Sequence, residues 1–132
     1  MYIEVKDHLH QLLTSGVIRR SHSPWASNVV SVRKEDRKLR LCVDFWHINK
    51  MIIKNSYALV RIEDIVDCLA GSKYFTVLDM KSGYHTIELD ESHKEDTDFT
   101  VGPLGFYEFE RLHPMGLCNA PATYQKLMEE CL

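Results

Sequence analysis

The order of apolar and polar positions divides the chain into short segments of changing period. Between Glu4 and Leu13, the apolar residues Val5, Leu9, Leu12 and Leu13 recur at nearly helical spacing. Gly16 stands where a helix commonly ends in a left-handed residue, so an amphipathic helix is expected there. Val17 and Ile18 lead into Ser21-His22-Ser23-Pro24-Trp25, a structured loop in which Pro24 removes a backbone donor and biases the preceding residues toward extended geometry. Asn28–Lys34 and Leu39–Phe45 are β-branched or apolar runs flanking the charged turn Glu35-Asp36-Arg37-Lys38, the pattern of a β-hairpin. Ile62, Ile65, Val66 and Leu69 predict a second helix ended by Gly71. Tyr74–Asp79 reads as a buried strand closing on a carboxylate, with Ser82-Gly83 breaking the run. Thr86–Leu89 and Phe106–Phe109 are further strands, and Gly102-Pro103-Leu104-Gly105 is a turn between the runs that flank it. Asn119-Ala120-Pro121 opens a last helix, with Asn119 as its cap, Pro121 in its first turn and Tyr124, Leu127, Met128 and Cys131 on one face. The expectation is one α+β unit with a mixed or antiparallel sheet, and no repeat or linker points to a second domain.

Composition narrows the class. Hydrophobic residues make up 45% of the 132 and charged residues 27%, which is ordinary globular usage. No apolar run approaches bilayer length, so no membrane association is expected. The start, Met1-Tyr2-Ile3-Glu4-Val5-Lys6-Asp7-His8, lacks the basic and then apolar regions of a secretory signal. An intracellular setting, cytoplasmic or nuclear and not secreted, follows as the expectation. Cys42, Cys68, Cys118 and Cys131 are too widely spaced for a zinc pair or a disulfide framework. His8 and His10, two apart, fall on different faces of a helix, which argues against a histidine metal site. The net charge of −3 gives no general pull toward nucleic acid, yet charge is segregated. Residues 33 to 40 carry five basic groups, while Glu88, Asp90, Glu91, Glu95, Asp96 and Asp98 make a later stretch acidic.

Few residues could carry chemistry. An Asp at the end of an apolar strand, before a tight turn, can direct its carboxylate into an open cleft. Asp79 would share a face with Phe75 and Val77 and would need a partner or a cation such as magnesium. It could equally close the strand by accepting backbone hydrogen bonds in the Met80–Gly83 turn. Lys34, Arg37, Lys38 and Arg40 could hold phosphates or form a solvated hairpin tip. Tyr84 could meet a sugar or base, or belong to the core. Pro114-Met115-Gly116-Leu117 could floor a cleft or merely admit the last helix.

Four blocks taken in order decide among these readings. Ser23-Pro24-Trp25-Ala26-Ser27, Leu39-Arg40-Leu41-Cys42-Val43-Asp44-Phe45, Tyr74-Phe75-Thr76-Val77-Leu78-Asp79-Met80-Lys81-Ser82-Gly83-Tyr84-His85 and Asn119-Ala120-Pro121-Ala122-Thr123-Tyr124-Gln125 resemble the reverse transcriptases of Ty3/gypsy-type LTR retrotransposons. The resemblance implies an incomplete right-hand polymerase, one partial domain over residues 1–132, with residues 15 to 70 and 95 to 115 in or near the fingers and Asp79 in the palm. It implies that Asp79 and the Met80 carbonyl hold divalent metal, Mg2+ or Mn2+, for two-metal phosphoryl transfer. Lys34 and Arg40 would contact the triphosphate, and Lys81, Ser82 and Gly83 would line the nucleotide pocket through their backbones. Tyr84 would crowd a ribose 2′-hydroxyl and so favour deoxynucleotides. Pro114, Met115 and Gly116 would approach template and nucleotide, while Ser23, Pro24, Trp25, Asn119, Ala120 and Pro121 would position nucleic acid or support the palm. The implied partners are an RNA or DNA template-primer and dNTP.

Departures from the pattern matter equally. Arg111-Leu112-His113-Pro114-Met115-Gly116 carries one residue more than the family's Arg-Met-Pro-Phe-Gly, and Trp46 and Ile48 replace an Arg and a Leu. The family supplies further carboxylates from an aromatic-x-Asp-Asp turn, and no Asp-Asp pair occurs in these residues. The expectation is therefore a polymerase fragment that is inert alone. A nucleic-acid-binding module without chemistry and a truncated relic are the alternatives.

Overall fold

The computed structural model describes residues 2–34, 39–112 and 116–131. Helix α1, Tyr2–Thr14, forms because Val5 and Leu9 lie one turn apart and bury together. Gly16, at φ +67°, stops it: its N–H donates to Leu13 O at 3.1 Å, and the Val17 N–H donates to Leu12 O at 3.0 Å. This paired closure of the last carbonyls needs a left-handed residue, which glycine supplies without strain.

The strands are β1 Ile18–Arg20, β2 Ser27–Arg33, β3 Leu39–Val43, β4 Phe99–Thr100 and β5 Phe106–Phe109. They form one sheet in the order β1-β5-β4-β2-β3. Among the described residues only the β2–β4 pairing is parallel, so the sheet is mixed. The expected hairpin is present, with Val29 opposite Val43 and Arg33 opposite Leu39; its turn residues, Arg37 and Lys38 among them, lie outside the described residues. Alternation along β3 turns Leu41 and Val43 inward to meet Val5 and Leu9 of α1. Phe99, Tyr107 and Phe109 complete this core, with the Phe99 ring centroid 5.8 Å from Tyr107 and 5.1 Å from Phe109. Each buried phenylalanine contributes roughly 2–3 kcal/mol relative to an exposed one.

Among the described residues four further α-helices follow: α2 Trp46–Met51, α3 Ile62–Leu69, α4 Glu91–Lys94 and α5 Ala120–Cys131. None is long and apolar enough to cross a membrane. α3 and α5 match the helices expected near those positions, whereas α2 and α4 are additional, and Phe45 precedes α2 instead of ending β3. The expected strand Tyr74–Asp79 is not formed. A strand needs a neighbour for its N–H and C=O groups, and among the described residues none runs beside this segment, where Tyr74 is 94% and Val77 89% exposed. The strand expected at Thr86–Leu89 shrinks to one bridge, Glu88 to Arg111, because Gly83–Thr86 coils into a 3-10 turn first.

Candidate nucleotide and metal site

Ser82 sits at φ 53°, a left-handed conformation unusual for a side-chain-bearing residue, and turns the chain sharply after Asp79-Met80-Lys81. The His85 N–H donates to Ser82 O at 2.8 Å, and Thr86 Oγ1 donates to Gly83 O at 2.6 Å, closing the turn. Gly83 is buried against Tyr124 of α5; a Cβ there would stand 3.0 Å from two carbons of the Tyr124 ring. Tyr84 stacks on the same ring at 4.5 Å, and the Tyr124 hydroxyl reaches Met80 Sδ at 3.6 Å. One helix residue thus braces Met80, Gly83 and Tyr84. Burial first, and the charge of Arg111 second, hold the His85 imidazole below its ordinary pKa. Arg111 Nη1 donates to the His85 carbonyl at 3.3 Å.

Asp79 is exposed and makes no hydrogen bond or ion pair among the described residues. Its carboxylate and the Met80 carbonyl are two oxygen ligands, too few for two cations that each require near-octahedral coordination. Among the described residues no group of three or more His, Cys, Asp or Glu could hold a metal ion. The residues present do not by themselves fit the metal pair that the resemblance implies.

Gly116 adopts φ +96°, with space for a Cβ closed off by Phe45 Cδ2 at 3.0 Å and Val43 O at 3.1 Å. Asn49 of α2 donates to Gly116 O and accepts from the Cys118 N–H at 2.9 Å. Asn119 does not cap α5 with its side chain as expected. Its Nδ2 donates to Ile53 O at 2.9 Å and its Oδ1 accepts from the Asn55 N–H at 2.8 Å, since the segment after α2 offers unpaired backbone groups. Pro121 lies in the first turn of α5, where its missing donor costs no helical bond. Met115 lies outside the described residues, as does Pro114.

The remaining expected positions stand apart. Arg40 is half-buried on β3 and Lys34 exposed just beyond β2; neither shares a hydrogen bond or ion pair with the Met80–Tyr84 group among the described residues. Arg33 is committed elsewhere, to Glu4 of α1 at 2.9 Å. In the loop after β1, the Ser23 N–H donates to Ser21 Oγ at 3.1 Å and the Trp25 N–H to Ser23 Oγ at 3.2 Å. These turns leave Pro24 exposed and Trp25 79% exposed.

Residues 32–132 match the reverse transcriptase (RNA-dependent DNA polymerase) family. The chain belongs to the reverse transcriptase family. It is 40% identical over 134 residues to the retrovirus-related Pol polyprotein from transposon gypsy of Drosophila melanogaster, covering 97% of this chain and 13% of that one. It is 36% identical over 135 residues to the Pol polyprotein from transposon 297 of the same fly, covering 98% and 13%. A Schizosaccharomyces pombe Tf2-3 transposon polyprotein is 35% identical, covering 97% and 10%. The reverse transcriptase segment seen here therefore spans a small part of its relatives' length. Among solved structures, a foamy viral protease-reverse transcriptase in complex with dsDNA superposes with a TM-score of 0.87 at 23% identity, covering 99% of this chain and 27% of that one. Another, in complex with RNA/DNA hybrid, gives 0.77 at 19% identity, covering 96% and 17%. These likenesses fix the α+β fold as that of reverse transcriptase.

Sequence reasoning placed Tyr124 on the apolar face of α5 without giving it the bracing of Tyr84, and passed over Asn49 altogether. The stacking of Tyr124 could have been sought from an aromatic at the start of the last helix; nothing local marks Asn49, whose partners are 67 and 69 residues away.

Proposed function

We propose that this chain forms the fingers and first palm segment of an RNA-directed DNA polymerase that adds dNTP to a template-primer. The observation that carries the reading is the exposed Asp79, next in sequence to a Met80 whose sulfur meets Tyr124, the same ring on which Tyr84 stacks. Asp79 and the Met80 carbonyl would supply part of a Mg2+ or Mn2+ site, which in the family needs the carboxylates of an aromatic-x-Asp-Asp turn not found in these 132 residues. A divalent cation held at the completed site would supply charge neutralisation on the phosphates and activation of the primer hydroxyl. Backbone groups of Lys81, Ser82 and Gly83, with Met115 and Gly116, line the nucleotide pocket, and Tyr84 excludes a 2′-hydroxyl. Lys34 and Arg40 orient the triphosphate through charge-assisted hydrogen bonds. Ser23, Pro24, Trp25, Asn119 and Pro121 position the nucleic acid. The complexes of foamy viral relatives with dsDNA and with RNA/DNA hybrid support nucleic acid as the partner.

The test is primer extension on a primed RNA template, by the chain alone and by the chain joined in frame to the following polymerase segment of the gypsy relative. The chain alone should incorporate nothing. The joined protein should extend the primer and lose that activity on Asp79→Asn. Extension that survives Asp79→Asn in the joined protein would remove Asp79 from the metal site.

A further inference from the structure

Beneath the Ser23–Trp25 loop lies a polar cluster that the proposed chemistry does not use. Ser21, Asp98 and Glu108 are all buried, Asp98 at 2% and Glu108 at 4% exposure. They meet on the face of β5 opposite Tyr107 and Phe109, because Glu108 alternates with those rings and pairs directly across from Arg19. Ser21 Oγ contacts Asp98 Oδ2 and, at 2.9 Å, Glu108 Oε2, while accepting the Ser23 N–H at 3.1 Å.

Counting protons decides the state of this cluster. A serine hydroxyl has one hydrogen to donate. It cannot serve two carboxylates at once, so with both ionised one of the two contacts would set oxygen against oxygen in a buried site. Glu108 is the carboxylate of the pair that meets a cation, since its Oε1 accepts from the Arg19 guanidinium. Asp98 has no such cation among the described residues. Basic side chains on the neighbouring elements are committed elsewhere: Arg19 of β1 also pairs with Glu91 of α4 at 2.6 Å and Glu110 after β5 at 3.2 Å. Lys94 of α4 pairs with Glu110 at 2.6 Å and Glu91 at 2.7 Å. Arg20 lies over the Tyr107 ring. Asp98 Oδ1 is buried without a hydrogen-bond partner among the described residues. A carbonyl oxygen bears that isolation at far lower cost than half of a carboxylate.

We propose that Asp98 is a neutral carboxylic acid in the folded chain, donating its proton to Ser21 Oγ so that Ser21 donates to Glu108, and that this relay positions the Ser23–Trp25 loop. Every valence of the serine hydroxyl is then satisfied: protons arrive from Asp98 and from the Ser23 amide, and its own proton goes to Glu108. Burial, with the nearby Glu108 charge, also drives the Asp98 carboxyl upward, more than the Ser21 hydrogen bond lowers it. The Ser27 N–H donates to Asp98 O at 2.8 Å, so the same residue grips the far end of the loop through its backbone. Ionisation of Asp98 would leave two like charges competing for one hydroxyl and weaken the grip on Ser21.

The experiment is a pH titration of the 132-residue chain with 13C-labelled aspartate carboxyls and 15N-labelled amides. The Asp98 carboxyl carbon should still report the protonated form at a pH where an ordinary aspartate is ionised, and the Ser23 amide shift should move with the same midpoint. In Asp98→Asn, whose amide donates to Ser21 without titrating, the Ser23 movement should vanish while the Ser23 amide keeps its low-pH position. An Asp98 carboxyl that ionises as an ordinary aspartate would overturn the proposal, as would a Ser23 amide indifferent to its titration. Both readings come from the unsubstituted chain, so they stand even if a variant fails to fold.

Discussion

Tyr84 and Tyr124 lie nearly parallel, with ring centroids 4.5 Å apart and 25° between their planes. The contact joins a tight turn to a helix 40 residues later in the sequence. It holds the Tyr84 ring against α5, and Gly83 allows the approach by having no side chain.

Replacing Tyr124 should separate the ring's role from that of its hydroxyl. Tyr124→Ala removes the stack and leaves a void beside Gly83, and should lower unfolding free energy by about 1–3 kcal/mol, of which roughly 0.5–1.5 is the aromatic pair itself. Tyr124→Phe keeps the ring and loses only the contact with Met80, so it should cost under about 1 kcal/mol. Urea unfolding of the two variants measures both. Equal losses would mean that the stack contributes nothing.

Gly116 should tolerate no side chain. At φ +96° an alanine is strained, and its Cβ would press on Phe45 Cδ2 and the Val43 carbonyl. Phe45 is fully buried and cannot yield freely. Gly116→Ala should therefore destabilise by about 2–3 kcal/mol, read as a fall in the urea midpoint at constant slope. Gly71 is a control, since it has a positive φ and open space around it. Gly71→Ala should show the conformational cost alone, about 1 kcal/mol.

The basic hairpin is testable without chemistry. If Lys34 and Arg40 meet phosphates, binding of the chain to a primed RNA should weaken with rising salt, and Lys34→Ala with Arg40→Ala should reduce the slope of log affinity against log salt by about 1–2. A double variant with an unchanged slope would place both residues outside the interface. Arg33→Ala serves as comparison, because Arg33 is bound to Glu4 and should leave the slope nearly unaltered.

Local periodicity made part of this fold legible. Val5 and Leu9, the hairpin around residues 28 to 45, the α3 repeat and Phe106–Phe109 each carry their signal within a few neighbouring residues. Tyr74–Asp79 misled because its composition is that of a strand, while a strand's existence depends on a partner that no local pattern reports. Asn119 misled in the other direction: its type suits a helix cap, but the carbonyl of Ile53 and the amide of Asn55 compete for its side chain. The order of the four family blocks located the Asp79–Tyr84 region. The bracing from Tyr124 and Asn49, and the cluster of Ser21, Asp98 and Glu108, arise from contacts between distant segments.

Stability should fall on both sides of an intermediate pH, for different residues. Lys94 first, and Arg19 after it, hold the Glu91 carboxyl below its ordinary range. A depressed folded-state pKa gives stability that is present above the unfolded value and lost as pH falls through the folded one. Asp98 is shifted the opposite way, so its contribution is full below the unfolded value and lost as pH rises through the folded one. Glu91→Gln should flatten the acid limb of a plot of unfolding free energy against pH, and Asp98→Asn the limb at higher pH, each leaving the other intact. Arg19 sits between them: Arg19→Ala strands the buried Glu108 without a cation and should cost about 3 kcal/mol near neutrality. Arg19→Lys, which keeps a positive charge beside Glu108, should recover part of that loss. A loss from Arg19→Lys as large as that from Arg19→Ala would show that the guanidinium acts by its packing and not by its charge.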